Sequence, residues 1–471
     1  MACLPPASAP MKLNLTPHEI ADAVQGELVA PGRPATGVST DTRALRAGDV
    51  FFALLGEGAR TRPQANGHRY VRDAVERGAV GAVVSSPVRD TPPGFAVIRV
   101  DDTLLALGRL ATMWRQRMPV RLAAVTGSVG KTSTKGMLGA ILSGCRPTAV
   151  APASYNNEIG VPLTLLGLDR ADTFCVVELA MRGPGEIGYL AGIARPEVGV
   201  ITNIGSSHVG RLGSREATAR AKGELLPLLP PTGAAVLRRS DFFFGVLSEL
   251  ASAPVISFGL EDAADVRAEQ LAEDGLRGTR FELVLPRARV PVALAVPGLH
   301  QVENALAASA AAAALGVPPE VIARGLASYV GAEMRGRVVE APGGITIIDD
   351  CYNAAPDSVR AALGVLAGVP GRRLFLFADM LELGEESPED HRVVANQAAE
   401  AGVAHLLTVG ELARIAAQVA AERGLATSSF ATPEEALAAL REELRPGDTL
   451  LVKGSRLMRL ERVVEGLLSD A

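Results

Sequence analysis

Ala124-Val125-Thr126-Gly127-Ser128-Val129-Gly130-Lys131-Thr132-Ser133 is the stretch from which the rest of the chain is read. The apolar run Leu122 to Val125 predicts a strand, and Gly130-Lys131-Thr132 opens a helix-forming segment that runs to about Leu142. Gly127 and Gly130 allow backbone N–H groups to close around phosphates with no Cβ in the way. Lys131 would reach the β- and γ-phosphates, and the Thr132 hydroxyl would ligate magnesium. The start of the helix adds its positive end. The first glycine of a strict G-x-x-x-x-G-K loop is Val125 here. A flexible surface turn would leave the Gly-Lys-Thr order between a strand and a helix unexplained, so the loop Gly127, Ser128, Val129, Gly130, Lys131, Thr132, Ser133 is read as nucleotide-binding.

Working outward, 471 residues are enough for about three domains, and 48% hydrophobic residues give each a core to bury. A net charge of −5 without a Lys/Arg block argues against nucleic acid as the main partner. Cys3, Cys145, Cys175 and Cys351 are scattered with no C-x-x-C pair, which fits a reduced cytoplasm better than disulfides or zinc. Met1 to Pro10 lacks a charged start and a long apolar core, so no signal peptide is expected, and Met11 is a second candidate start. The Ala-rich run Ala305 to Leu315 is too short to span a bilayer and reads as a packed helix.

The chain is expected to be α/β in three blocks. Residues 11–118 mix short strands and helices, with a strand at Gly48 to Leu54 and a helix at Tyr70 to Gly78. Residues 119–331 start with the phosphate loop and continue with strands at Thr173 to Glu178, Val198 to Asn203 and Ala234 to Leu237. Residues 332–471 place strands at Ile345 to Asp349, Leu374 to Phe377, His405 to Val409 and Thr449 to Val452. Strands alternating with helices imply parallel sheets covered on both faces. Ligands of such sheets lie beyond the carboxyl ends of the strands. Glu178 and Asn203-Ile204-Gly205-Ser206-Ser207-His208 occupy such ends, beside the phosphate loop. A carboxylate and an imidazole there can hold metal ions that bridge nucleotide oxygens.

Several stretches then stand in the order found in the Mur ligases, the ATP-dependent amide-forming enzymes of peptidoglycan precursor synthesis. They are Ser39-Thr40-Asp41-Thr42-Arg43, the phosphate loop, Tyr155-Asn156-Asn157-Glu158-Ile159-Gly160-Val161-Pro162, Glu178 with Gly185-Glu186-Ile187, and Asn203 to His208. Ala221-Lys222-Gly223-Glu224, His300-Gln301-Val302-Glu303-Asn304, Asp349-Asp350-Cys351-Tyr352-Asn353-Ala354 and Lys453-Gly454-Ser455-Arg456 follow. From about Leu13 onward the chain resembles that family. The resemblance implies a small α/β N-terminal domain for a UDP-sugar, a central P-loop ATPase domain with a parallel sheet, and a Rossmann-like C-terminal ligase domain that closes on ATP and takes up the acceptor amine.

The Asn156-Asn157 and Tyr352-Asn353 stretches resemble the branch that joins D-alanyl-D-alanine to UDP-N-acetylmuramoyl-tripeptide through an acyl phosphate. They speak against a third-residue-adding ligase or a folylpolyglutamate synthase. A nucleotide switch is the more distant alternative. The resemblance implies that Lys131 and Thr132 hold ATP and magnesium, with Glu178, His208 and a carbamylated Lys222 as further ligands of two Mg2+. It also implies Asn304 on adenine, Asp350 on ribose and Arg337 on the transferred phosphate. Thr40, Asp41, Thr42, Arg43, His68, Asn156, Asn157, Tyr352 and Asn353 become substrate contacts. By itself Lys222 reads as a solvated helix lysine. The chain departs from the family pattern at Gly136, Ala355, Ala180-Met181-Arg182-Gly183 and the stretch Ala59 to Ala65. A cytoplasmic monomer is expected, with no membrane span.

Overall fold

The computed structural model describes residues 13–56, 65–205, 212–381, 383 and 387–469. Three sheets follow one another along the chain. The first contains β1 (Glu27–Ala30), β2 (Gly37–Ser39), β3 (Asp49–Phe52), β4 (Gly81–Val84) and β5 (Ala96–Arg99) in the order β1-β5-β4-β3-β2. Only the β1–β5 pair is antiparallel.

The second sheet has nine strands. They are β6 (Arg121–Thr126), β7 (Thr148–Val150), β8 (Phe174–Glu178), β9 (Val198–Ile201), β10 (Ala234–Arg238), β11 (Val255–Gly259), β12 (Val266–Glu273), β13 (Thr279–Leu285) and β14 (Ala288–Leu294). Their order is β14-β13-β12-β11-β10-β9-β6-β8-β7. Every residue of β8 and β9 is buried, and all of β6 after Arg121, as the continuous apolar runs predict for strands covered on both faces.

The third sheet takes β15 (Arg337–Ala341), β16 (Ile345–Asp349), β17 (Arg373–Ala378), β18 (His405–Val409), β19 (Ala426–Phe430) and β20 (Thr449–Lys453) in the order β15-β16-β20-β17-β18-β19. It is parallel except for β15.

Beyond the antiparallel β1–β5 and β15–β16 pairs, two further features depart from the expected parallel sheets and helices. β12, β13 and β14 form an antiparallel meander on the edge of the central sheet. Its signal is visible in hindsight, since β14 alternates exposed and buried residues along Arg289 to Leu294. In the first block, the helix expected over Tyr70 to Gly78 divides into a 3-10 turn at Gly67–Tyr70 and a helix at Val71–Glu76.

The first and second sheets share one apolar core, which runs from Leu13 to Ala253. Helix Thr103–Arg117 makes this join. It starts at Asp102, whose carboxylate accepts from the N–H groups of Leu104 and Leu105. It then packs on helix Pro17–Val24 on one side and on helices Gly160–Leu166 and Glu186–Ala194 on the other. Trp114, fully buried, donates its indole N–H to the Leu168 carbonyl at 3.3 Å.

The long Ala-rich helix, Leu299–Ala314, is buried along Ala305 to Ala312 and lies against helix Lys131–Ser143. Small side chains let the two helices approach closely, which places Asn304 against the phosphate loop. No helix among the described residues is long and apolar enough to cross a membrane. Trp114→Ala is expected to cost about 3–5 kcal/mol, because it opens a cavity in the shared core. Urea unfolding would measure it, and a loss below about 1 kcal/mol would mean the join is not a packed core.

Candidate active site

The phosphate loop forms where β6 turns into helix Lys131–Ser143. Gly127 (φ 144°) and Gly130 (φ 83°) both take left-handed conformations. A Cβ on Gly127 would collide with Thr202, and one on Gly130 with the Asn304 amide. The segment after β9 braces the loop. Asn203 accepts from Val129 N–H through its side chain (3.1 Å) and from Ser128 N–H through its carbonyl (3.0 Å). Thr202 Oγ1 donates to the Val129 carbonyl at 2.6 Å, and Ser128 Oγ accepts from Gly205 N–H at 2.9 Å. Lys131 Nζ folds back over the loop, donating to the carbonyls of Gly127 (2.8 Å) and Ser128 (3.1 Å).

Glu178 ends β8 beside this loop and is 2% exposed. A buried carboxylate needs donors or a cation. Thr132 Oγ1 donates to Glu178 Oε2 at 3.0 Å, and Asn156 Nδ2 to Oε1 at 2.8 Å. Lys135, also buried, places Nζ 3.5 Å from Oε2 and donates to the Ala153 carbonyl at 2.5 Å. Lys131 and Lys135 lie one turn apart on the same helix face. Burial lowers both lysine pKa values, Glu178 raises them, and the Arg335 guanidinium lowers them again. Two lysines thus face one carboxylate with the Arg335 guanidinium near enough to act on both, which leaves the pit positive and suited to a polyphosphate.

The Thr132 hydroxyl and Glu178 carboxylate are hard oxygen donors that fit magnesium, which takes one or two protein ligands plus phosphates and water. Among the described residues there is no cluster of three or more His, Cys, Asp or Glu side chains able to hold a metal by itself. His208, the expected third ligand, lies outside the described residues.

A cleft of about 710 Å³ extends from the loop to the third sheet. Its far wall carries Arg335, Asp350, Asn353 and Lys453, and its floor His300 and Asn304. The Asn304 amide is held between Thr134 (3.3 Å) and Gln301 (3.2 Å). Asp350 forms an ion pair of 2.5 Å with buried Lys453, whose Nζ also donates to the Asn353 carbonyl at 3.1 Å. Burial holds the His300 imidazole below its ordinary pKa, with Asp350 opposing and Lys453 adding to the shift.

Several expected site residues are placed differently. Arg337 enters β15 opposite Asp349 and is exposed, outside the cleft lining. Arg335 lines the cleft instead, two residues earlier. Met334 (φ 56°) and Gly336 (φ 74°) kink the chain on either side of it, and its guanidinium lies over the Tyr352 ring at the cleft wall. Lys222 is not a solvated helix lysine but 1% exposed. It makes no hydrogen bond or ion pair among the described residues. Burial holds its amine well below the usual lysine value, and Lys131 adds to the shift.

Thr40, Asp41, Thr42, Arg43 and His68 lie outside the cleft lining. Asp41 is engaged by Arg43 in a local pair. Both His68 ring nitrogens are taken, Nδ1 donating to Asn66 (2.9 Å) and Nε2 accepting from Ser85 N–H (2.8 Å). Asn157 caps the next helix by accepting from Gly160 N–H at 2.9 Å. Sequence reasoning missed Arg335 and Lys135, and quoted Lys453 only within a family stretch without giving it a role. The four-residue spacing from Lys131 was the available signal for Lys135.

A phosphate loop facing charged groups of a second α/β layer across one cleft defines a nucleotide-using enzyme whose site is completed by two domains. Residues 125–312 match the Mur ligase middle domain, and residues 334–456 the Mur ligase, glutamate ligase domain. The UDP-N-acetylmuramoyl-tripeptide–D-alanyl-D-alanine ligase of Synechocystis is 38% identical over 438 residues, covering 92% of this chain and 92% of its own. MurF from Acinetobacter baumannii superposes with a TM-score of 0.88 at 34% identity, over 99% of this chain and 100% of that one. The Thermotoga maritima MurF ligase, solved in complex with ADP, gives 0.79 at 25% identity over 92% and 97% of the two chains. The chain belongs to the Mur ligase family.

The geometry separates the two arginines. Arg335→Ala should lower the ligation rate constant by about a hundredfold, with a smaller loss of nucleotide affinity. Arg337→Ala should stay within about threefold of the parent enzyme, as exposed sites usually do. Steady-state kinetics that reversed this order would return the phosphate-facing role to Arg337.

Proposed function

We infer that this chain is the ATP-dependent ligase that joins D-alanyl-D-alanine to UDP-N-acetylmuramoyl-tripeptide, releasing ADP and phosphate. The observation that carries this reading is full-length similarity to enzymes of that name, together with a cleft lined by Lys131, Thr132 and Arg335, with Glu178 accepting from Thr132 behind it. The third-residue-adding alternative is less favoured: a diaminopimelate-adding relative reaches 18% identity and a TM-score of 0.54. Substrates of this kind belong to the cytoplasm.

In the proposed reaction, the tripeptide carboxylate attacks the γ-phosphorus of ATP and the bond to ADP breaks. The dipeptide amine then attacks the acyl carbon, phosphate leaves, and the amide forms. Lys131 and Arg335 offset the charge that collects on the phosphoryl oxygens. Thr132 and Glu178 would hold magnesium, which when bound would supply positive charge against the phosphates. Asn304 and Asp350 orient the nucleoside end, Asp350 once Lys453 shares it. The two walls of the cleft hold the reactants together and keep water from the acyl phosphate.

The 11–118 block would hold the UDP-sugar, 119–331 ATP, and 332–471 the acceptor dipeptide. Because Asp41, Arg43 and His68 are engaged locally, sugar contacts there require these pairs to open. Mass spectrometry of a reaction with tripeptide-linked UDP-muramic acid, ATP and D-alanyl-D-alanine should find the pentapeptide product. Lys131→Ala should reduce it at least a hundredfold while the fold persists. Product from other amines but not from this dipeptide would overturn the reading.

Lys222 is the second point of the proposal. A carbamate forms when the neutral amine adds carbon dioxide and releases a proton. Burial keeps that amine neutral at lower pH than usual, and bicarbonate and rising pH favour the modification. The product carries negative charge and oxygens that suit magnesium, and it removes a cation from beside Lys131. Lys222→Ala should be nearly inactive, and a small carboxylic acid in the buffer should restore part of the rate. Full activity of the alanine variant without the additive would leave Lys222 as a packed lysine only.

A further inference from the structure

The third sheet touches the phosphate-loop side through a contact that the reaction scheme above does not use. Tyr352 follows β16, and its phenol oxygen is hydrogen-bonded to Ser154 Oγ in the loop after β7. The Arg335 guanidinium lies over the Tyr352 ring, 3.9 Å from its centroid. The Tyr352 N–H donates to the Met334 carbonyl at 3.1 Å, so ring and arginine are held from both backbone and side chain.

The Ser154 end is equally constrained. Ala151 N–H donates to the Val176 carbonyl in β8 at 2.9 Å. Ala153 adopts φ 39°, a conformation uncommon for a residue with a Cβ, and its carbonyl is held by Lys135 at 2.5 Å. Three residues on, Asn156 donates to Glu178 from its side chain and accepts from Ala180 N–H through its carbonyl at 2.8 Å. The loop is therefore pinned to the same carboxylate and lysine that organise the phosphate site. A continuous set of contacts runs from Glu178 through Lys135, Ala153, Ser154 and Tyr352 to Arg335.

We propose that the Ser154–Tyr352 contact is a latch between the second and third layers, and that Tyr352 is a positioning residue which holds Arg335 over the phosphate loop rather than a substrate contact. The proposal rests on the ligase reading for its kinetic test but not for its structural one. When the third layer docks, the phenol seats on Ser154 and the ring presents the guanidinium on the side of Lys131 and Lys135. Without the latch the arginine keeps its charge but loses its place. Charge stabilisation in the transition state suffers more than binding of any one substrate.

The test compares Tyr352→Phe, Ser154→Ala and the double variant. Each single change should lower kcat about five- to tenfold, with KM for ATP, UDP-tripeptide and dipeptide within about twofold, and the double should be no slower than the slower single. Hydrogen–deuterium exchange of residues 332–337 should quicken in both single variants, and thermal midpoints should not move. Unchanged kcat in Tyr352→Phe would overturn the latch. So would a raised KM at constant kcat, the mark of a substrate contact, or losses that multiply in the double variant. Ser154→Ala, in a partly exposed loop, carries the test if Tyr352→Phe misfolds. A parent protein with no ligase activity would count against the ligase reading, and the exchange measurement would still decide the latch.

Discussion

Glu178 sets a carboxylic side chain where water hardly reaches it, and the groups behind the phosphate loop are arranged to meet its hydrogen-bonding demand. Its two oxygens are met by a hydroxyl from helix Lys131–Ser143, an amide from the loop after β7 and the ammonium of Lys135. Removing any of these would leave an acceptor buried and short of donors, at a cost of about 1–3 kcal/mol. The same groups fix the helix start and the 151–157 loop relative to β8. The acid thus acts as a structural pin as well as a prospective metal ligand.

The surrounding charge balance points outward to a ligand. Lys131, Lys135 and Arg335 exceed the single carboxylate, and Lys222 adds a buried amine beside Lys131. Such a group of cations lowers its own members' proton affinity and is relieved by a bound polyanion. Geometry supports the same conclusion. The loop backbone is shaped by two left-handed glycines and braced from Thr202 to Gly205, with the Ser128 and Val129 N–H groups held by Asn203, so the turn into helix Lys131–Ser143 is fixed before anything binds.

Across the cleft, the third layer brings its own pre-paired groups, the Asp350–Lys453 ion pair and the Arg335–Tyr352 stack. They lie at the carboxyl ends of β16 and β20 and just before β15, at the edge where open parallel sheets place their ligands. The first layer differs. It is fused to the central one through the core around Trp114, so relative motion is expected mainly of the third layer.

The sequence by itself determined the class of fold and the location of the site. Short apolar runs of four to six residues set the parallel strands, and Gly-Lys-Thr after such a run set the phosphate loop, because these signals are contained in local windows. The ordered motifs added the family. Tertiary structure alone decided which charged groups serve the site. Arg335 rather than Arg337 lines the cleft, with a left-handed residue on either side of it, a twist that periodicity does not encode. Lys222 is buried and His68 Nε2 accepts from Ser85 N–H because burial and such pairing depend on what the fold brings alongside, whereas Asp41 is taken up by Arg43 only two residues on. The β12–β14 meander escaped for the converse reason, since its alternating pattern was overshadowed by the parallel runs before it.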